Sequence, residues 1–416
     1  MKLSVFPTAY ILAVLVLCRG VAASARQGST GTVADDGGLL SVTLVKTVPV
    51  TTDAEGGSAR PEIIATSNRV FVAYLGNITS INRRTFNVRV FDASLASVIA
   101  TRTLVETTAD YGGPTDIRIA SDGRYVYAFY ETHKPTFPIG AKTYLWGAKY
   151  TLDDRFERVA HTAEPIASSR PMGELQDGGE LLDDPAPLIG PTSLFVVTRL
   201  KHSLSTAGKT TYRVREFSKD DLTKLSEFDL DLSGVVDGRA RVSSLLVLGK
   251  SILIVLPTTV SDSAVNENSD DGARSDVVVV RMGPDWSFDP SQDVHTLSAE
   301  PDDRENYVSG FETDGRYLYV TYKQSVGVPG SGEHREHRAW IKVFERDFEP
   351  VYQERVKSTG WGPGGGEIRP SLELSGRRMF SGQSGGRGLG QGNGEVYMYE
   401  LTFERARGAS GGEGGI

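Results

Sequence analysis

The residues best equipped for chemistry are arginines and carboxylates that recur just ahead of short apolar runs. They are Arg60 before Pro61, Asp116, the pair Asp183-Asp184 before Pro185, Arg239 and Arg241, and Glu367 with Arg369 before Pro370. Two or three guanidiniums brought together suit a carboxylate or a phosphate, because each offers a planar fork of donors. The same arginines can instead pair with Asp183, Asp184 and Glu367 in a structural ring. If the chain cuts a bond, Asp116, Asp184 and Glu367 are the candidate acid and base, since hydrolysis of a glycosidic bond asks for two carboxyl groups about 5 to 10 Å apart. Two further candidates are aromatic rings among glycines, in Tyr111-Gly-Gly-Pro114 and Trp361-Gly-Pro-Gly-Gly-Gly366. Spacing argues against a core position for either, and an exposed ring is a platform for a sugar face or a partner side chain. The alternative for Trp361 is that it folds back onto a neighbouring packed element.

Other chemistries are excluded or weakly signalled. Cys18 is the single cysteine, so disulfides, thiolate catalysis and Cys-type metal sites have no ligands downstream of it. Asn266-Glu-Asn268-Ser-Asp270-Asp-Gly272 alternates oxygen ligands like the start of a calcium loop but lacks the closing Glu. His334-Arg-Glu-His337 reads as a solvated loop. No Gly-x-Ser-x-Gly, phosphate-binding glycine loop or His-Glu-x-x-His occurs. The sequence therefore implies no cofactor and no metal, with calcium as the exception to test. A formal charge of −8 and a pI near 5.4 speak against nucleic acid and anionic membranes as partners.

Residues 1–25 read as a secretory signal: Lys2, an apolar stretch from Tyr10 to Cys18, and small residues at Val21-Ala-Ala-Ser-Ala25 that offer a cut after Ala25. That stretch is too short for a ~30 Å hydrocarbon core, and no later segment approaches ~20 uncharged apolar residues. The expectation is a secreted, extracellular or periplasmic monomer without a membrane span. A lipid anchor on Cys18 is the alternative, against which Leu17, in Leu15-Val16-Leu17-Cys18, stands where a small residue is needed. Asn77-Ile-Thr79 is a glycosylation sequon if the secretory pathway is eukaryotic.

The elements that must position these residues come from an internal repeat. Runs such as Arg69-Val-Phe-Val-Ala-Tyr74, Arg124-Tyr-Val-Tyr-Ala-Phe-Tyr130, Ser193-Leu-Phe-Val-Val-Thr198, Ser251-Ile-Leu-Ile-Val-Leu256, Arg316-Tyr-Leu-Tyr-Val-Thr-Tyr322 and Arg378-Met-Phe380 recur about every 60 residues. Each follows a shorter strand across a turn such as Ser121-Asp-Gly123 or Thr313-Asp-Gly315, and precedes a third strand after a longer loop. In five units an acidic turn then leads to a fourth strand. Four strands in each of six units predict an all-β, six-bladed β-propeller.

The sixth unit runs out after Leu401-Thr-Phe-Glu404. Ser41-Val-Thr-Leu-Val-Lys-Thr-Val48 resembles a fourth strand, so an N-terminal strand is expected to complete the last blade and close the ring. Two stacked sandwiches of about 190 residues are the competing arrangement. The expected division is a signal peptide over 1–25, a flexible linker over 26–38, the propeller over 39–404 and a disordered tail over 405–416.

In such blades the loops joining second to third strand emerge on the face where the chain passes between blades. All six are long in sequence, including 131–142 and 323–338, which marks that face for binding. Repeat alignment places Arg60, Thr115, Asp184, Val242, Tyr307 and Arg369 at one position, ringing the channel mouth. The expected ligand-binding set is Arg60, Tyr111, Arg241, Tyr307, Trp361 and Arg369.

The repeat resembles secreted propellers of the BNR/sialidase-like superfamily over about residues 41–404, as a pattern. The Asp-box Ser-x-Asp-x-Gly-x-x-Trp of that family is absent, and no tyrosine–glutamate nucleophile pair can be assigned. Arg60-Pro61 and Arg369-Pro370 are similar to the Arg-x-Pro start of sialidases, which implies carboxylate binding there. Asp183-Asp184-Pro185-Ala186 is similar to a calcium-holding motif of six-bladed phytases, but no companion acidic motif follows. The sequence thus predicts a non-catalytic propeller that binds a glycan or an extracellular protein. A sialidase-like glycoside hydrolase is the alternative, ahead of a phytase-like phosphatase.

Overall fold

A computed structural model describes residues 38–52, 55, 58–77, 84–136, 140–169, 180–200, 211–236, 244–257, 277–298, 305–327, 335–359, 371–383 and 394–403. They form six antiparallel sheets in chain order. The first comprises β2 (Ser58–Ala65), β3 (Arg69–Gly76), β4 (Thr85–Asp92) and β5 (Val98–Glu106). The second comprises β6 (Gly113–Ser121), β7 (Tyr125–Thr136) and β8 (Gly140–Thr151), edged by the short β9 (Arg158–His161) and β10 (Ala167–Ser168). The third runs β11 (Glu180–Ile189), β12 (Ser193–Leu200), β13 (Thr211–Ser218), β14 (Lys224–Asp231), and the fourth β15 (Ser244–Leu248), β16 (Ser251–Pro257), β17 (Val277–Met282), β18 (Val294–Ser298). The fifth runs β19 (Glu305–Thr313), β20 (Tyr317–Gly327), β21 (Arg335–Glu345), β22 (Pro350–Thr359). The sixth joins β23 (Ser371–Ser375), β24 (Arg378–Gln383) and β25 (Glu395–Phe403) to β1 (Leu39–Pro49). The chain is a six-bladed β-propeller, closed as the sequence predicts by its first strand.

Closure rests on ladder pairing and on one arginine. In β1, Val42 stands opposite Leu401 and Val48 opposite Val396. The next residue after β1, Val50, is fully buried and donates its N–H to Gly394 O at 2.7 Å. Arg89 on β4 of the first blade then donates to Val50 O and to the Glu55 carboxylate. The crossing from last blade to first is thereby held by a buried guanidinium.

Packing lies between blades, because every sheet has two apolar faces. Phe71, Val88, Ile117 and Tyr150 fill the seam between the first and second blades, and Tyr317, Ile341, Met379 and Tyr399 that between the fifth and sixth. The acidic turns between third and fourth strands contribute to these seams. Leu95, Phe156, Leu222, Trp286 and Phe348 occupy those turns in blades one to five with φ between 49° and 71°. All five are buried, each against the preceding blade. A left-handed conformation costs a non-glycine residue about 1 to 2 kcal/mol, which burial of a large apolar side chain outweighs. In the last seam Phe403 of β25 packs instead.

On the same face as these turns, Asp122 and Asp314 build identical turns between first and second strands. Each carboxylate accepts two backbone N–H groups, at Arg124 and Tyr125 or at Arg316 and Tyr317, and the hydroxyl of Tyr127 or Tyr319. Gly123 and Gly315 follow with φ of 85° and 91°, a region open to glycine at no steric cost.

Two of the connections read as long loops are largely strand. Glu131–Thr136 continues β7 and pairs with Gly140–Leu145 of β8, and Lys323–Gly327 of β20 pairs with Arg335–Ala339 of β21. Chain projecting beyond a sheet satisfies its backbone polar groups most simply by extending the ladder.

Candidate functional site: the mouth between the first two blades

The long-loop face carries the starts of the innermost strands, and four of those strands are irregular there. Register shifts fall between Ala59 and Glu62, Pro114 and Asp116, Leu181 and Ala186, and Val308 and Gly310. An extra residue in one strand bends it and re-aims its side chains. The six positions aligned by repeat spacing are therefore not strictly in step.

Arg60 lies in the first of these irregularities with φ 53°. Its side chain crosses to the second blade, where Nη1 donates to Thr115 O at 2.7 Å and meets Asp116 Oδ2 at 2.8 Å. Asp116 Oδ1 also accepts the Ile117 N–H at 2.9 Å. Deeper in, the polarity reverses: Arg118 of β6 reaches back to Glu62 of β2 at 2.8 Å. Two crossed ion pairs thus lock the inner strands of adjacent blades. Below them the central channel is lined by Glu62, Arg118, Ser121, Glu312, Ser371 and Glu373 among others.

Asp116 stands directly opposite Glu131 in the ladder, so the two side chains share one face of the sheet. They are only 4% and 3% exposed. Both carboxyl groups are thus buried on neighbouring strands.

An aromatic wall lies on the face of the second blade that packs against the first. The Tyr111 ring packs edge-on to Tyr144 at 5.0 Å and to Trp146 at 4.8 Å. Trp146 Nε1 donates to Thr132 Oγ1 at 3.0 Å, and its ring stacks on His161 at 5.6 Å. His161 shares a 2.8 Å hydrogen bond with the Tyr130 hydroxyl, and burial, then the charge of Arg158, depress its pKa. Lys142 Nζ lies 5.0 Å from the Tyr144 centroid. Tyr111 is half-buried against the two rings it meets. Gly112 shapes this connection: with φ 77°, a Cβ there would sit 1.7 Å from His133 O.

Of the residues singled out from sequence, the structure brings together Arg60 and Asp116 and sets Tyr111 on the same face. Asp184 and Tyr307 lie on β11 and β19, with their side chains outside the description. Arg241, Trp361, Glu367, Arg369, His334 and the Asn266–Gly272 segment lie outside the described residues. Among the described residues no group of three His, Cys, Asp or Glu could hold a metal, and no helix is long and apolar enough to cross a membrane. Sequence reasoning missed Glu131 and Trp146. Glu131 directly follows the aromatic run ending at Tyr130, a signal that the second strand continues.

No family model matches the sequence, and no curated protein does. Solved structures do match. A protein of unknown function from Dyadobacter fermentans aligns with a TM-score of 0.55 at 10% identity, over 87% of this chain and 99% of that one. The endosialidase of phage phi92 aligns at 0.54 and 10% identity, over 92% and 72%. The α-L-arabinofuranosidase of Fusarium graminearum, in complex with an iminosugar inhibitor, aligns at 0.50 and 11% identity, over 88% and 98%. At such identities the likeness shows the fold. The chain has the six-bladed architecture of the sialidase-like propellers, and its resemblance to them is one of pattern.

Proposed function

We propose that this chain is a secreted propeller that binds a glycan on its long-loop face, at the mouth between the first two blades, without cleaving it. The observation that carries the reading is the engagement of Asp116, which is buried, bonded to Arg60 and to its own strand's backbone, and so withheld from proton transfer. A general acid must reach the leaving oxygen through an open site. The aromatic wall of Tyr111, Tyr144 and Trp146 supports recognition of a sugar, since a ring beside polar groups stacks on apolar C–H surface. The names of the endosialidase and the arabinofuranosidase among its structural neighbours add support for a glycan over a protein ligand.

The test pairs a glycan array with a panel of aryl glycosides and aryl sialosides. Binding on the array with no aglycone released supports the reading. Release that disappears in Asp116→Asn would replace it with the hydrolase alternative.

A further inference from the structure

The outermost strand of each blade presents a sheet edge, and among the described residues all but one of these edges are broken or short. Along β1, β5 and β22 two register shifts against the neighbouring strand leave no more than four successive pairs in step. Three pairs stay in step along β18, and the edge of the second blade is split into β9 and β10. Bulges and short strands are the means by which a sheet edge is kept from accepting another strand. β14, the edge of the third blade, lacks them. Its one shift lies at its start, at Leu225, and from Ser226 to Asp231 it pairs residue for residue with β13. Seven of its eight residues are exposed, so this regular edge is open to a partner.

The two faces of β14 differ in chemistry. On one, Phe228 is 37% exposed at the centre of the regular run, its ring edge-on to Trp286 at 5.8 Å. On the other, Glu227 and Asp229 stand opposite Arg215 and Arg213 of β13. Arg213 forks onto Asp229 at 2.9 and 3.2 Å, Arg215 Nε lies 3.4 Å from Glu227, and Lys224 Nζ reaches Glu227 at 3.2 Å from the foot of the strand. These cations hold the carboxylates from the inner side and from below, yet Asp229 is 47% and Glu227 38% exposed. A second copy docking through the same edge, antiparallel about Phe228, would set Glu227 opposite Asp229 twice, and like charges directly opposite are destabilising. Acids at the edge of a chain of charge −8 favour a cationic strand instead.

We propose that β14 is a docking edge for an extended segment of a second protein that alternates basic and apolar residues, added as a fifth strand to the third blade. Main-chain hydrogen bonds supply the affinity, and the alternation supplies the specificity: apolar side chains beside Phe228, cationic ones beside Glu227 and Asp229. The edge lies on the outer rim of the third blade and stands independently of the glycan reading.

The test uses three capped, fluorescently labelled peptides: Lys-Val-Lys-Val-Lys-Val-Lys, its isomer Lys-Lys-Val-Val-Val-Lys-Lys, and Glu-Val-Glu-Val-Glu-Val-Glu. Anisotropy titrations at fixed ionic strength compare wild type, Phe228→Lys and the double variant Glu227→Gln with Asp229→Asn. Hydrogen exchange of wild type saturated with peptide locates the contact, and sedimentation reports self-association. The alternating basic peptide should bind wild type about tenfold or more tightly than its isomer, and slow exchange over 224–231 while leaving 98–106 and 350–359 unchanged. Phe228→Lys, which places a guarding charge at the centre of the edge, should weaken it about tenfold, and the neutralised double variant about fivefold. Equal binding of the isomer or of the acidic peptide would overturn the proposal, as would protection on other outer strands, binding unchanged by both substitutions, or no binding. A wild-type dimer that Phe228→Lys dissolves would make a second copy the occupant and overturn the basic partner. Should either variant fail to fold, the exchange pattern and the isomer comparison on wild type decide alone.

Discussion

Arg60 Nη1 and Asp116 Oδ2 lie 2.8 Å apart across the boundary between two blades, the aspartate almost fully buried and the arginine one-fifth exposed. The pair joins two inner strands that share no ladder hydrogen bonds. Removing one partner leaves a buried charge, whereas removing both leaves an apolar contact. Asp116→Ala should cost about 3 kcal/mol of stability, and the double replacement Arg60→Met with Asp116→Leu about 1 kcal/mol or less. Denaturant unfolding of the singles and the double checks this. Simple additivity would show that the pair is not a structural lock.

The buried apolar residues at positive φ give an inverted glycine effect. At Phe156, alanine loses the packing yet keeps the left-handed strain, while glycine loses the packing and relieves it. Phe156→Ala should destabilise by about 4 kcal/mol, and Phe156→Gly by about 1 kcal/mol less. Chemical denaturation of both variants measures the difference. An alanine variant more stable than the glycine one would contradict the turn geometry.

Ring closure by β1 predicts an asymmetric response to truncation. Deleting 39–52 removes the fourth strand of the last blade and the buried Val50 that Arg89 grips. That deletion should abolish cooperative unfolding or lower the melting temperature by more than ten degrees, on the order expected for several kcal/mol. Deleting 405–416 should leave it within about two degrees. Equal melting temperatures would sink the closure account.

The repeat made the architecture legible because four strands per unit require regular spacing of β-branched and aromatic runs, and the incomplete sixth unit pointed to its own completion. The site was legible only in part. Arg60 and Asp116 announced themselves as charges at strand starts, but their pairing depends on a register shift that spacing does not encode. Glu131 became visible only once β7 was seen to extend past its expected end, and Trp146, inside its expected strand, only once its ring was seen to meet Tyr111. Tyr111 was expected as a free platform, and its ring meets Tyr144 and Trp146 because the 108–112 bridge turns the connection back onto the second blade. The apolar plugs carry a faint signal, an acidic or polar residue followed a few positions on by Leu, Phe or Trp.

His161 gives the fold a pH signature. Burial and Arg158 hold its folded-state pKa below the ordinary value of 6.5. The unfolded chain therefore binds this proton more readily, and the contribution of neutral His161 is present above about pH 6.5 and lost as pH falls below it. His161→Gln should flatten the stability profile between about pH 7 and 5. Denaturant midpoints across that range provide the check, and an unchanged slope would assign the acid sensitivity elsewhere.

The most direct measurement is the glycan-array titration of wild type against Tyr111→Ala and Trp361→Ala, each shown to keep the wild-type melting temperature. Loss of a stacking ring should cost about 1 to 3 kcal/mol of binding. The account predicts a glycan bound by wild type and bound at least about fivefold more weakly by Tyr111→Ala, whose ring lies in the wall between the first two blades. A glycan bound equally by all three proteins, or no glycan bound by wild type, would contradict it.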